Sequence, residues 1–274
     1  MVILLRYGEL ALKGQLRRKF ENILVSNIRR VMKVENFKGD VRREWGRLYV
    51  FSDGDEFRLA KRLSLVFGVV STSPAYVCNA DIEEIVSMAR NIFGDRVIGR
   101  KFAVRARRSG EHDFTSVDVA KRVGEVLKLS GGHVDLKNPE VEVYVEVRND
   151  KAYLFSEIFR GFGGLPVGTQ ERVLAMDAIS AWFAMRRGCD VDCAERNELL
   201  LPWACYRNVN FVDLSFDEAI KSDYSAVFCS YTLEEIKNLN LEDRRMPVLF
   251  PFASEEVYTR DEVRKVVEEI GVWI

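Results

Sequence analysis

Between Arg160 and Thr169 the chain carries four glycines and a proline in ten residues, Arg-Gly-Phe-Gly-Gly-Leu-Pro-Val-Gly-Thr. Neither helix nor strand runs easily through such a stretch, because glycine leaves the backbone unrestrained and proline removes a donor. The 274 residues therefore divide there, in keeping with the roughly 100 to 200 residues of a usual domain. Charge changes sign at the same place. Residues 1–160 carry 29 Lys and Arg against 22 Asp and Glu, net +7, whereas residues 161–274 carry 12 against 20, net −8. The near-neutral total thus hides a cationic half suited to an anionic partner. Chance clustering on a solvated surface is the competing reading of the same numbers.

Upstream of the glycine-rich stretch, residues 2–7 are apolar and β-prone, and Leu16, Phe20, Ile23, Leu24, Ile28 and Val31 then fall at helical spacing. Arg17, Arg18, Lys19, Arg29 and Arg30 fill the rest of that helix and make its exposed part cationic. Residues 41–51 read as a strand pair bent at Gly46. Helices at about 56–67 and 81–93 flank a strand around 69–78, in which Pro74 suggests an edge or an end. In 101–107, Phe102, Val104 and Ala106 alternate with Lys101, Arg105 and Arg107, a pattern that buries one face and presents cations on the other. Thr115 and Asp118 resemble a capping box for a helix whose outer face offers Lys121, Arg122 and Lys128. Residues 141–148 and 151–158 form a hairpin around Asn149-Asp150. Beyond 170, short apolar runs at 173–176, 189–193, 226–229 and 247–250 alternate with helical ones at 177–187, 232–239 and 259–270. That order predicts a parallel sheet with crossover helices. Residues 194–225 give no clear pattern.

Composition matters mainly for what it removes. With 47% hydrophobic and 30% charged residues, the chain can bury a core and is not disordered. No run approaches the ~18 apolar residues of a spanning helix, and the start is too short an apolar stretch for a signal peptide, so a cytoplasmic protein is expected. Five cysteines without an export signal read as reduced thiols. Two histidines, His112 and His133, exclude a His-rich metal site. Cys189, Cys193 and Cys205 have weak spacing for a metal or cluster, so no metal is assigned.

Three segments, in the right order along the chain, resemble the tRNA 4-thiouridine synthetases, uridine sulfurtransferases also linked to thiamine synthesis. They are Arg6-Tyr7-Gly8-Glu9-Leu10-Ala11-Leu12-Lys13-Gly14, the hinge Gly163-Gly164-Leu165-Pro166-Val167-Gly168-Thr169, and Tyr231-Thr232-Leu233-Glu234-Glu235-Ile236 followed by Pro247-Val248-Leu249-Phe250-Pro251. The resemblance implies an α+β half, a ferredoxin-like domain (1–55) and a THUMP RNA-binding domain (56–160), followed by an α/β PP-loop-like domain (161–274). It also implies tRNA as partner, bound at the acceptor end, and a homodimer. The acidic C-terminal domain would serve for dimerisation or for holding a sulfur-carrying or modification enzyme.

The departures from the family are as informative. Its S-G-G-x-D-S-P loop frees backbone N–H groups to cradle ATP phosphates at a helix N-terminus. Here Arg172-Val173-Leu174-Ala175-Met176 runs straight into Asp177-Ala178-Ile179-Ser180, so Asp177 fits the family's Asp but the Ser-Gly-Gly is gone. A rhodanese domain is not expected either. The expectation is therefore an RNA-binding, short, degenerate member without a cofactor. Its RNA-binding candidates are Lys13, Arg17, Arg18, Lys19, Arg105, Arg107, Arg108, Lys121, Arg122 and Lys137. Residues 1–170 would then suffice for binding. In the alternative, an active sulfurtransferase uses ATP with Mg²⁺ and a persulfide, with Asp177 in the site and a phosphate site in the Gly161 to Thr169 loop. A further alternative is a protein-interaction module that binds no RNA.

Overall fold

The computed structural model describes residues 1–8, 16–44, 46–207, 209–254 and 259–268. In chain order the first half holds β1 (Val2–Tyr7), α1 (Arg17–Val34), β2 (Gly39–Glu44), β3 (Arg47–Ser52), α2 (Glu56–Ser64), β4 (Val69–Asn79), α3 (Ile82–Val97), β5 (Lys101–Ser109), α4 (Ser116–Leu129), β6 (His133–Val134), β7 (Val141–Arg148), β8 (Lys151–Phe155) and β9 (Phe159–Arg160). The rest holds β10 (Arg172–Ala175), α5 (Ala178–Arg186), β11 (Asp190–Cys193), β12 (Asn210–Phe211), α6 (Phe216–Ala219), β13 (Val227–Phe228), α7 (Leu233–Ile236), β14 (Val248–Leu249) and α8 (Arg260–Glu268). No described helix is long and apolar enough to cross a membrane.

The chain forms two compact units. Residues 73–158 with 1–4 make the first, and residues 5–72 with 159–274 make the second. In the first, β4 pairs antiparallel with β8, β8 with β7, and β5 lies parallel between β7 and β6. The Asn149-Asp150 turn closes the β7–β8 hairpin with Asn149 at φ 49°. Alternation along β5 and β7 sends Phe102, Val141, Val143, Val145 and Val147 to one face, where they meet Ile85, Ala89 and Phe93 of α3 and Val119, Val123 and Leu127 of α4. Pro74 stands in mid-strand, not at an end. It falls between two ladders of β4, one with β9 at Ser71 and Thr72 and one with β8 from Tyr76 onward. A residue without an N–H is tolerated there.

In the second unit, β2 and β3 form a hairpin whose ladder runs from the Gly39–Ser52 pair to the Glu44–Arg47 pair. The C-terminal part has a parallel sheet in the order β12-β11-β10-β13-β14. Helix α7 is only four residues long, although residues 232–239 read as helical. Asn238 and Asn240, residues that favour turns, break the run there.

The core under the parallel sheet is not built from the C-terminal segment alone. Leu65 and Phe67, from the connection between α2 and β4, are buried in it, and the Phe67 ring lies 5.4 Å from Trp182 and 5.5 Å from Trp203. Polar contacts join the same segments. Asn27 of α1 donates to the Val167 carbonyl at 3.0 Å. Arg62 of α2 donates to Glu35 and to the Pro202 carbonyl, each at 2.9 Å. Ending the chain at residue 170 would therefore uncover Leu65 and Phe67 and strip Arg62 of a partner.

Candidate functional site

Strand β5 presents its cations as its sequence implies. Lys101, Arg105 and Arg107 are exposed, Phe102 is buried, and Val104 and Ala106 are half-buried. Because α3 and α4 cover the Phe102 face, Arg105 and Arg107 emerge on the opposite side of the sheet from the helices. Lys121 and Arg122, on the outer side of α4, therefore do not converge with the strand cations.

The ten candidate cations differ sharply in what already holds them. Arg105 donates to Glu142 at 3.0 Å and to the Leu136 carbonyl at 2.8 Å. Arg122 is paired with Glu83 at 2.5 Å. Arg108 donates to the Gly110 carbonyl at 3.0 Å. Arg17 is paired with Glu21 at 2.7 Å, and Glu21 also accepts from the Tyr7 hydroxyl at 2.7 Å and from Arg43 at 3.3 Å. Burial alone would raise the Glu21 carboxyl, but the hydrogen bonds from Arg17 and Tyr7 outweigh it and hold it below the usual glutamate value. Arg18, Lys19, Arg107, Lys121 and Lys137 are exposed and make no ion pair among the described residues. Lys13 lies outside the described residues. Exposed pairs such as Arg105 with Glu142 contribute only about 0–1 kcal/mol, so a phosphate can compete with them. The unpaired cations are available at no such cost.

Sequence reasoning missed Tyr144, which lies opposite Arg105 in the β5–β7 register. Its ring stacks on Phe155 with centroids 5.2 Å apart, and its hydroxyl donates to Glu142 at 2.5 Å. The Tyr144 and Arg105 hydrogen bonds together hold the Glu142 carboxyl below its ordinary value. The signal was the alternation in 141–148, where Tyr144 shares a face with Glu142 and Glu146.

At the junction of β10 and α5, the carboxyl ends of β10 and β13 meet where the strand order reverses, the place where open α/β sheets usually take a ligand. Here that place is filled from within the chain. Asp177, extended at φ −150°, caps α5: its Oδ1 accepts from the Ile179 and Ser180 N–H groups at 3.0 and 2.9 Å. Its Oδ2 accepts from the Ser230 N–H at 3.2 Å, which ties the ends of β10 and β13 together. Glu195, seventeen residues away, accepts from the Ala178 N–H at 2.8 Å. Three N–H groups of the first helical turn thus already point at carboxylates, and a phosphate there would meet two negative charges instead of open donors.

The hinge loop is no better suited. Its N–H groups at Gly161, Gly163, Leu165, Gly168 and Thr169 donate to backbone carbonyls. A Cβ at Gly164 would come 2.2 Å from the Arg186 carbonyl oxygen, and one at Gly168 would come 2.5 Å from the Arg207 guanidinium. These glycines allow close approach of chain to chain, with φ of 74° and 91°. At both places the backbone N–H groups are therefore already engaged by groups of this chain.

Cys189, Cys193, Cys205 and Cys229 are buried. Burial pushes the Cys189 thiol up to about 11 and those of Cys193, Cys205 and Cys229 up to about 12. Among the described residues no three His, Cys, Asp or Glu side chains gather as a metal-binding group. At pH 8 a thiol of pKa near 11 is only about one part in 10³ thiolate, the reactive form. Alkylation of the native protein by iodoacetamide, followed by mass spectrometry, is therefore expected to be at least 100-fold slower at these four than after unfolding. Rapid modification of Cys193 or Cys205 would contradict their burial.

A ThiI ferredoxin-like domain model matches residues 2–73, and a THUMP domain model matches residues 79–157. The chain is 42% identical over 199 residues to the tRNA sulfurtransferase of Pyrobaculum aerophilum, a match covering 70% of this chain and 40% of that protein. It is 43% identical over 204 residues to the probable tRNA sulfurtransferase of Aeropyrum pernix, covering 70% of this chain and 52% of that one. The chain spans about half the length of the curated relatives it matches. Among solved structures it is similar to PH1313 of Pyrococcus horikoshii Ot3, with TM-score 0.80, 27% identity and coverage of 98% and 99% of the two chains. A 4-thiouridine synthetase solved as an RNA complex with bound ATP gives TM-score 0.75 at 20% identity, covering 99% of this chain and 85% of that one, a likeness of fold alone.

Proposed function

We propose, from the premise that this chain belongs to the tRNA 4-thiouridine synthetase family, a THUMP-domain family of tRNA modification, that it binds tRNA at the acceptor end without itself adenylating uridine. The observation that carries the second half is the α5 N-terminus, where Asp177 and Glu195 take the N–H groups that a nucleotide phosphate needs. The first half is supported by the THUMP domain and by the exposed, unpaired Arg107, Lys121 and Lys137 that it carries. An acceptor stem hides its base edges, so binding runs through phosphates, shape and the unpaired 3′ end, for which cations suffice. The protein acts as a homodimer in this reading, and sedimentation velocity tests that part.

Calorimetry tests the proposal directly. Titration with tRNA at low salt is expected to give saturable heat, and titration with ATP and Mg²⁺ none in the micromolar range. Micromolar ATP binding that is lost in Asp177→Ala would overturn the degenerate-loop reading. The relatives named tRNA sulfurtransferase favour a second reading, in which this chain thiolates uridine with ATP and a persulfide donor. That reading requires the same ATP heat, so one measurement decides between them.

A further inference from the structure

In the second unit, an open groove of ≈540 Å³ runs past the C-terminal end of α1. Its floor is Met32 and Phe37, and its rim carries Arg29, Lys33 and Lys38. The turn that follows α1 brings them together. Asn36 adopts a left-handed φ of 59°, and the Phe37 N–H returns to the Met32 carbonyl at 2.8 Å. Lys33, from the helix, and Lys38, just before β2, therefore line one groove instead of pointing apart. Arg29 is partly neutralised by Asp40 at 3.7 Å, which is shared with Arg42 at 3.2 Å. Lys33 and Lys38 are exposed and make no ion pair among the described residues.

We propose that this groove is a second contact for the RNA sugar–phosphate backbone, with Lys33 and Lys38 each taking a phosphate and the Met32 and Phe37 floor receiving sugar. The inference rests on the RNA-binding reading above and extends it to a site outside the THUMP domain. The groove is open, which suits a polymer passing through and not a small ligand that would need enclosing walls. Lysine ammonium groups are point charges that bind phosphates without demanding a fixed fork geometry. The Arg58 guanidinium lies 5.6 Å over the Phe37 ring and covers one of its faces, so the aromatic serves as floor and not as a stacking platform for bases. A folded acidic protein would also want directional donors such as a free arginine fork, and the one arginine on the rim is already engaged with Asp40.

The test is fluorescence anisotropy with full-length protein and labelled tRNA at 50 and 150 mM KCl. Lys33→Glu with Lys38→Glu is compared with Lys237→Glu with Lys265→Glu, which changes net charge equally at exposed lysines of the acidic segment. The groove variant is expected to bind at least fivefold more weakly. Its log affinity against log salt should flatten by about 1 to 2, since each phosphate contact contributes roughly 0.7 to 0.9 to that slope. The control should stay within twofold of wild type, and Lys33→Gln with Lys38→Gln should fall between. Equal losses in groove variant and control, or no loss in either, would overturn the proposal. So would a groove variant with unchanged tRNA affinity that has lost binding to polyglutamate, which would make the groove a site for acidic protein. Wild type that fails to bind tRNA at 50 mM KCl would instead sink the RNA-binding reading itself.

Discussion

Arg107→Glu combined with Lys137→Glu is expected to lower tRNA affinity at least tenfold while shifting the melting temperature by no more than about 2 °C. Both side chains are exposed and neither makes an ion pair among the described residues, so no folded-state interaction is lost. Surface substitutions of this kind usually stay within about 0.5 kcal/mol of wild-type stability. Each reversal removes an attraction and adds a repulsion. A tenfold loss is about 1.4 kcal/mol, a modest demand on two phosphate contacts. Arg105 is left in place deliberately, because Arg105→Glu would set two carboxylates against each other at Glu142 and confuse binding with stability. Removing the unpaired 3′ end of the tRNA should weaken wild type similarly and the double variant less, since the interaction is already gone there. Equal losses in both proteins would place β5 away from the acceptor end and move the expectation to Arg18 and Lys19.

The largest expected effect on stability is at Glu35. Its carboxylate accepts from Arg62 at 2.9 Å, from the Tyr206 hydroxyl at 2.7 Å and from Arg58 at 3.4 Å. Arg62 is 1% exposed and its guanidinium lies 5.0 Å from the Tyr206 ring. Glu35→Ala leaves that guanidinium buried without its counter-charge, which costs about 3–5 kcal/mol. For a domain of this size such a loss lowers the melting temperature by roughly 10 °C. Replacing both partners, Glu35→Leu with Arg62→Met, removes the desolvated charge together with the pair, and is expected to cost less than Glu35→Ala alone. Thermal denaturation of the three proteins checks this order. A double variant less stable than Glu35→Ala would show that Arg62 matters through packing against Tyr206 and its bond to the Pro202 carbonyl, not through its charge.

What could be read from residue order was whatever repeats locally. The helical spacing from Leu16 to Val31, the alternation in 101–107 and the short apolar runs after 170 each reflect a period of 3.6 or 2 that a single element imposes on its own residues. The Thr115–Asp118 capping box was legible for the same reason, because it spans one helical turn. The loss of glycines before Asp177 was also a local fact. It did not reveal that Glu195 arrives to take the Ala178 N–H, because nothing in a chain marks which carboxylate seventeen residues on will return.

Tertiary structure alone decided the rest, and the contacts involved are separated by long stretches of sequence. Arg62 and Pro202 are 140 residues apart, as are Asn27 and Val167, and Glu35 and Tyr206 are 171 apart. Residues 194–225 resisted reading because their few short elements hold position through such distant partners and not through any repeat of their own. The site cations followed the same division. Their exposure was implied by strand and helix period, but whether each was already paired depended on which acid the fold set beside it. Glu142 stands next to Arg105, and Glu83 next to Arg122, only because the sheet and the helix pair bring them there. Sequence therefore determined the elements and the sign of the charge on each face. The fold determined which charges were left free to meet a phosphate, since pairing acts through space over a few ångströms while periodicity acts along the chain.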